Sequence, residues 1–106
     1  MDKKFDIIIY GATGFTGQLC VKYLSKNAND INWAIAGRNK GKLEDLKNRL
    51  SLDVDIFIAD SDDNKALDEI TKNTKVVLST AGPFHRYSSN LVKSCVKNFS
   101  HYVDIT

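Results

Sequence analysis

Residues 5–17 constrain this chain more than any other stretch. Phe5-Asp6-Ile7-Ile8-Ile9-Tyr10 leads directly into Gly11-Ala12-Thr13-Gly14-Phe15-Thr16-Gly17. Three consecutive β-branched residues make a strand, and the lack of alternation means that both of its faces are covered, as in a parallel sheet. Three glycines at three-residue intervals follow, and an amphipathic helix begins near Phe15. A strand, a glycine turn and a helix in that order make a phosphate cradle. The first glycine permits a tight turn, the second lets a pyrophosphate approach the backbone, and the third lets helix and strand pack closely. The unpaired N–H groups and the positive dipole end of the helix then face the anion. The spacing is Gly-x-x-Gly-x-x-Gly, not the commoner Gly-x-Gly-x-x-Gly. A glycine-rich connection without a ligand is the alternative, and the strand–turn–helix context favours dinucleotide binding over it. No Gly-Lys-Ser/Thr follows, so this is not a P-loop.

The remaining chain alternates in the same way. Helical spacing predicts a helix from Phe15 to Lys26, with Leu19, Tyr23 and Leu24 on its apolar face. A strand is expected over Ile31 to Ala36, and a helix from about Lys40 with Leu43, Leu46 and Leu50. A strand from Val54 to Ala59 precedes a helix from Asp62 to Thr71, with Asp62 and Asp63 in its first turn and Ala66, Leu67 and Ile70 toward the sheet. The last units are a strand over Lys75 to Ser79, a helix over Ser88 to Asn98 with Leu91, Val92, Cys95, Val96 and Phe99 inward, and a strand over His101 to Ile105. Alternation of this kind implies parallel strands joined by right-handed crossovers. The expected fold is α/β, a doubly wound parallel sheet of the Rossmann type in the order 3-2-1-4-5 with helices on both faces. Helices one and two then cover one face, and three and four the other. Cys20 and Cys95 lie on opposite sides and cannot bond, each a buried free thiol.

The 106 residues make one domain with a single core. A net charge of +2 is too small to argue for nucleic acid or an anionic membrane as a partner. No apolar stretch reaches the ~20 residues that cross a bilayer. The start of the chain makes a poor signal peptide, and two cysteines are no disulfide scaffold. The expected setting is intracellular, reducing and cytoplasmic.

Candidate ligand contacts fall at the carboxyl ends of strands. A fold selective for NAD places an acid about 20 residues past the glycines, on the ribose 2′-hydroxyl. Here Gly37-Arg38-Asn39-Lys40 occupies that place, with Lys42 behind and no acid before Glu44. A guanidinium pairs bidentately with a 2′-phosphate that a carboxylate would repel, so NADP(H) is expected ahead of NAD(H). The alternative is a merely solvated helix start. Asp60 closes strand three and either meets the adenine amine or caps a helix. Ala81 and Gly82, before Pro83, let backbone lie along the adenosine side. Catalytic residues are not legible. None of Tyr10, Tyr23, Tyr87 or Tyr102 is followed by a Lys at the fourth position, as a short-chain dehydrogenase would need. His85, Arg86 and Tyr87 lack a partner, Ser79 and Cys95 lack a base, and no spacing suggests a metal.

Four blocks in order carry a family likeness: Tyr10-Gly-Ala-Thr-Gly-Phe-Thr-Gly17, Ala36-Gly-Arg38, Ser79-Thr-Ala-Gly-Pro-Phe84 and His101-Tyr-Val-Asp-Ile-Thr106. Together they resemble saccharopine dehydrogenase-like oxidoreductases, and are similar to trans-acting enoyl reductases of lipid biosynthesis. The resemblance implies that residues 1–106 are the N-terminal NAD(P)-binding domain of an oxidoreductase. The dinucleotide would be held by Gly11, Thr13, Gly14, Phe15, Thr16, Gly17, Arg38, Asn39, Lys42, Asp60, Ala81 and Gly82. A small-molecule or lipid-like substrate would be held by a C-terminal domain missing here, and lipid-droplet or membrane association of the full-length protein is a further option. The chain departs from the family at Ser88, where a glycine is usual, and at Phe99-Ser100, where Gly-Thr usually leads into the fifth strand. A non-catalytic NADP-binding sensor is the competing class.

Overall fold

The computed structural model describes residues 3–27, 30–80 and 89–104. Strands β1 (Phe5–Tyr10), β2 (Trp33–Gly37), β3 (Asp55–Ile58), β4 (Thr74–Ser79) and β5 (His101–Asp104) alternate with helices α1 (Phe15–Asn27), α2 (Lys40–Arg49), α3 (Asn64–Asn73) and α4 (Ser89–Lys97). The sheet is parallel throughout in the order β3-β2-β1-β4-β5. This is the doubly wound order expected from the glycine turn after β1.

Ile8 and Ile9 explain why β1 sits at the centre. Ile8 pairs in register with Ala34 and Val77, and Ile9 with Ile35 and Leu78. Both isoleucines are fully buried, on opposite faces of the sheet. Ile9 packs with Val21, Ile35, Leu43 and Leu46 under α1 and α2, and Ile8 with Leu67, Ile70, Leu91 and Cys95 under α3 and α4. Burying side chains of this size stabilises by roughly 1.5–3 kcal/mol each. Cys95 belongs to the second cluster and Cys20 packs at the margin of the first, so both are free, although Cys20 is only half-buried.

The inward faces of two helices differ from the expected ones. On α1, Gly17 and Val21 are buried, while Leu19 and Tyr23 point to solvent. Gly17 sets this rotation, because its missing side chain lets α1 touch the end of β1, and Val21 falls one turn later on the same face. On α4, Leu91, Ser94 and Cys95 face inward, and Val92, Val96 and Phe99 face out. What draws Ser94 inward is polar. Its hydroxyl donates to the Asp68 carboxylate at 2.6 Å and lies 2.8 Å from the Thr71 hydroxyl. Lys97 reaches the same carboxylate at 2.9 Å. The Ser94 hydroxyl, then Lys97, hold the Asp68 carboxyl below its usual range.

Strand and helix ends shift by a residue or two. Ile31 is exposed and β2 begins only at Trp33, after the Asn32 N–H has bonded the Asp6 carboxylate at 3.0 Å. Asp62 and Asp63 precede α3 instead of forming its first turn. Asp63 is the N-cap, its carboxylate accepting from the Ala66 N–H at 3.1 Å.

Phe99 holds the turn into β5 in the conformation that glycine favours, with φ of 58°. The Ser100 N–H donates to the Cys95 carbonyl at 2.9 Å, which closes the end of α4. The side chain recovers little, since it is 83% exposed. A left-handed L-residue costs about 1–2 kcal/mol, part of which glycine returns as chain entropy. Phe99→Gly is therefore expected to stabilise the domain by about 0.5–1 kcal/mol, read as a raised urea midpoint with an unchanged slope. A lowered midpoint would mean that the exposed ring carries packing.

Candidate functional site

The glycine turn is built from backbone alone. Gly11 takes φ of 85°, and its N–H and that of Ala12 both donate to the Ala36 carbonyl, at 2.9 and 3.2 Å. The turn is thereby fastened to the end of β2. The Gly14 N–H returns to the Gly11 carbonyl at 3.1 Å, and the first α1 bond runs from Gln18 N–H to the Gly14 carbonyl at 2.9 Å. No described residue accepts from the N–H groups of Phe15, Thr16 and Gly17. Three free donors at the positive end of a helix suit a pyrophosphate, and the exposed Gly14 stands in front of them with no side chain to bar its approach.

Gly17 has a different task. A Cβ there would collide with the Gly11 carbonyl oxygen and lie 2.8 Å from Ala12 Cα, both of them backbone. At Gly14 a Cβ would meet only the Gly11 carbonyl oxygen, at 3.5 Å. The third glycine thus closes the helix onto the strand, and the second keeps an approach open.

Three further side chains brace the site, none of them legible as such from sequence. The Tyr10 hydroxyl spans from β1 to the end of β3 and donates to the Ala59 carbonyl at 2.9 Å. Burial, then the Asp60 carboxylate, push this phenol up to about 12, with Arg38 acting in the opposite sense. It remains a protonated donor at neutral pH. The Thr80 hydroxyl lies 3.1 Å from the Tyr10 carbonyl and 2.9 Å from that of Gly11, tying the end of β4 to the turn. Gln18 donates from its side-chain amide to the Thr13 carbonyl at 2.8 Å and accepts from Arg49 at 3.2 Å. A threonine closing β4 and a glutamine one turn into the helix are the only sequence signals for these roles.

Arg38, at the end of β2, is exposed and pairs with no carboxylate among the described residues. The nearest acid in sequence, Glu44, lies 3.9 Å from Lys40 instead. Lys42 is exposed on the first turn of α2. Asn39 is the N-cap of that helix, its side-chain oxygen accepting from the Lys42 N–H at 3.0 Å. Asp60 caps no helix: its carboxylate closes a local turn onto the Asp62 N–H at 3.1 Å. Register places Arg38 and Asp60 at the neighbouring ends of β2 and β3, since Gly37 pairs with Ile58. Ala81 and Gly82, like His85, Arg86 and Tyr87, lie outside the described residues. Burial raises the Cys95 thiol to about 11, which makes it unreactive.

The saccharopine dehydrogenase NADP binding domain matches residues 7–106. The chain belongs to that family. Its relatives include a protein of Caenorhabditis elegans named a lipid droplet localized protein, 35% identical over 97% of this chain and 26% of the relative. A trans-acting enoyl reductase of Mycobacterium bovis is 34% identical over 99% of this chain and 26% of its own length. Saccharopine dehydrogenase (L-Glu forming) from Saccharomyces cerevisiae superposes with a TM-score of 0.79 at 25% identity, over 94% of this chain and 21% of that one. The chain therefore spans about a quarter of the length of the curated relatives it matches. This saccharopine dehydrogenase-like domain binds NADP(H), and the free donors at the start of α1 fit the pyrophosphate of that cofactor.

Proposed function

We propose that this domain delivers NADP(H) to a hydride-transfer reaction on a lipid-like substrate, which a further domain of the full-length protein would hold. NADP(H), when bound, supplies or accepts the hydride. The chain's own part is to bind and orient. In this reading the pyrophosphate rests on the N–H groups of Phe15, Thr16 and Gly17, beside Thr13, with Gly11 shaping the turn and Gly14 leaving room. Arg38, assisted by Lys42, takes the 2′-phosphate. Asn39 acts through the helix start that it caps, and Asp60, with Ala81 and Gly82, borders the adenosine. The names of the nematode and mycobacterial relatives support the lipid-like class of substrate and a lipid-droplet setting.

The observation that carries the proposal is the combination of free helix-start donors with an unpaired Arg38 one strand away. Calorimetric titration of the full-length protein with NADPH and NADH tests it. NADPH is expected to bind roughly 10- to 150-fold more tightly, the worth of one charge-assisted pair to phosphate. Equal affinities would remove the role given to Arg38.

A further inference from the structure

The side chains on the outward face of α1 serve neither the core nor the nucleotide turn, to which Phe15 contributes only its backbone N–H. Phe15, Leu19 and Tyr23 recur every four residues along it and are 84%, 53% and 61% exposed. Lys22 and Lys26 share that face by helical spacing. Both are exposed and have no carboxylate partner among the described residues, a state they share with Lys42, Lys47, Lys65 and Lys93 but combine here with an exposed apolar strip. No acidic residue occurs anywhere in α1. On neighbouring α2 the two acids are already matched, Glu44 with Lys40 at 3.9 Å and Asp45 with Arg49 at 4.0 Å.

An apolar strip with unneutralised ammonium groups along it complements one kind of surface closely. Aromatic and aliphatic side chains enter the boundary between headgroups and acyl chains, and lysines meet anionic headgroups above it. A purely apolar protein partner would leave Lys22 and Lys26 unsatisfied, and a second copy presenting this same face would set lysines against lysines. We propose that α1 docks the domain onto a phospholipid surface bearing anionic headgroups. Because Phe15 opens α1 directly after the glycine turn, docking would bring the nucleotide site close to the lipid. The inference deepens the lipid reading given above but is read by partition onto vesicles, so its failure is separable from failure of hydride transfer or nucleotide binding.

The test is sedimentation of the full-length protein with vesicles of phosphatidylcholine alone and of phosphatidylcholine mixed with phosphatidylserine. Binding is expected to the mixed vesicles, and to weaken as salt is raised. Neutralising two juxtamembrane lysines in Lys22→Gln/Lys26→Gln should lower partition roughly 10- to 30-fold. Leu19→Ser/Tyr23→Ser should lower it at least ~10-fold through lost apolar burial. Both double variants should keep the parental NADPH affinity, which reports an intact fold. The proposal is overturned if the parent ignores anionic vesicles, or if the lysine variant partitions as the parent does. It is also overturned if the Leu19/Tyr23 variant turns a dimer into a monomer by light scattering, which would give the face to a second copy.

Discussion

Gly17→Ala should lower the stability of this domain by about 3 kcal/mol, although the new side chain is a single methyl group. The site is a helix, where alanine ordinarily gains up to ~1 kcal/mol over glycine, so the expected sign reverses the intrinsic preference. The cause is the contact with Gly11 and Ala12. A Cβ at Gly17 meets a carbonyl oxygen and a Cα that belong to the turn itself, with Ala12 Cα only 2.8 Å away. No flexible side chain stands there to swing aside, so α1 must lift from β1. Overpacking of this kind costs about 1–3 kcal/mol and more where backbone has to move. For a domain of this size a 3 kcal/mol loss appears as a fall of roughly 10–20 °C in Tm. A Tm within a few degrees of the parent's would show that the turn can relax.

Gly14 is the counterpart. Its Cβ position is open apart from one ordinary contact, and the residue is exposed. Valine there should cost only about 1 kcal/mol of stability, through a poorer helix start. NADPH binding, in contrast, should fall beyond measurement, because the branched side chain occupies the approach to the donors of Phe15, Thr16 and Gly17. The two glycines thus separate stability from binding, in line with the different roles that their order in the turn predicts.

The sheet was legible because β1 lacks alternation. Ile7, Ile8 and Ile9 need cover on both sides, and the glycine turn behind them fixes where the chain crosses next; the strand order follows from those two facts. The rotation of α1 was harder to read. That helix carries two apolar stripes, Val21 with Leu24 and Phe15 with Leu19 and Tyr23, and counting apolar residues selects the wrong one. Gly17 was the available clue, since a glycine required for close approach must face the strand and Val21 follows it by one turn. On α4 no such clue exists: Ser94 is drawn inward by Asp68 and Thr71 of α3, partners known only once the helices are packed. Tyr10 and Thr80 escaped for the same reason, as each is defined by a carbonyl on another strand. The turn into β5 shows the converse, because Phe99 takes the positive φ that glycine favours at a place where the resemblance leads one to expect a glycine.

We propose that the NADP preference rests on Arg38. The guanidinium stands at the end of β2, exposed, with no carboxylate paired to it among the described residues. A phosphate placed there gains a charge-assisted pair worth about 1.5–3 kcal/mol, and a bare 2′-hydroxyl gains far less. Removing the side chain should leave the sheet untouched, because Gly37 pairs in register with Ile58 and its carbonyl accepts from the Ala59 N–H at 2.8 Å. The direct measurement is a pair of dissociation constants, for NADPH and for NADH, in the parent and in Arg38→Ala at one fixed salt concentration. NADPH should weaken roughly 10- to 150-fold while NADH stays within about twofold of the parent. An equal loss of both affinities, or no loss of either, would contradict the assignment of Arg38 to the 2′-phosphate.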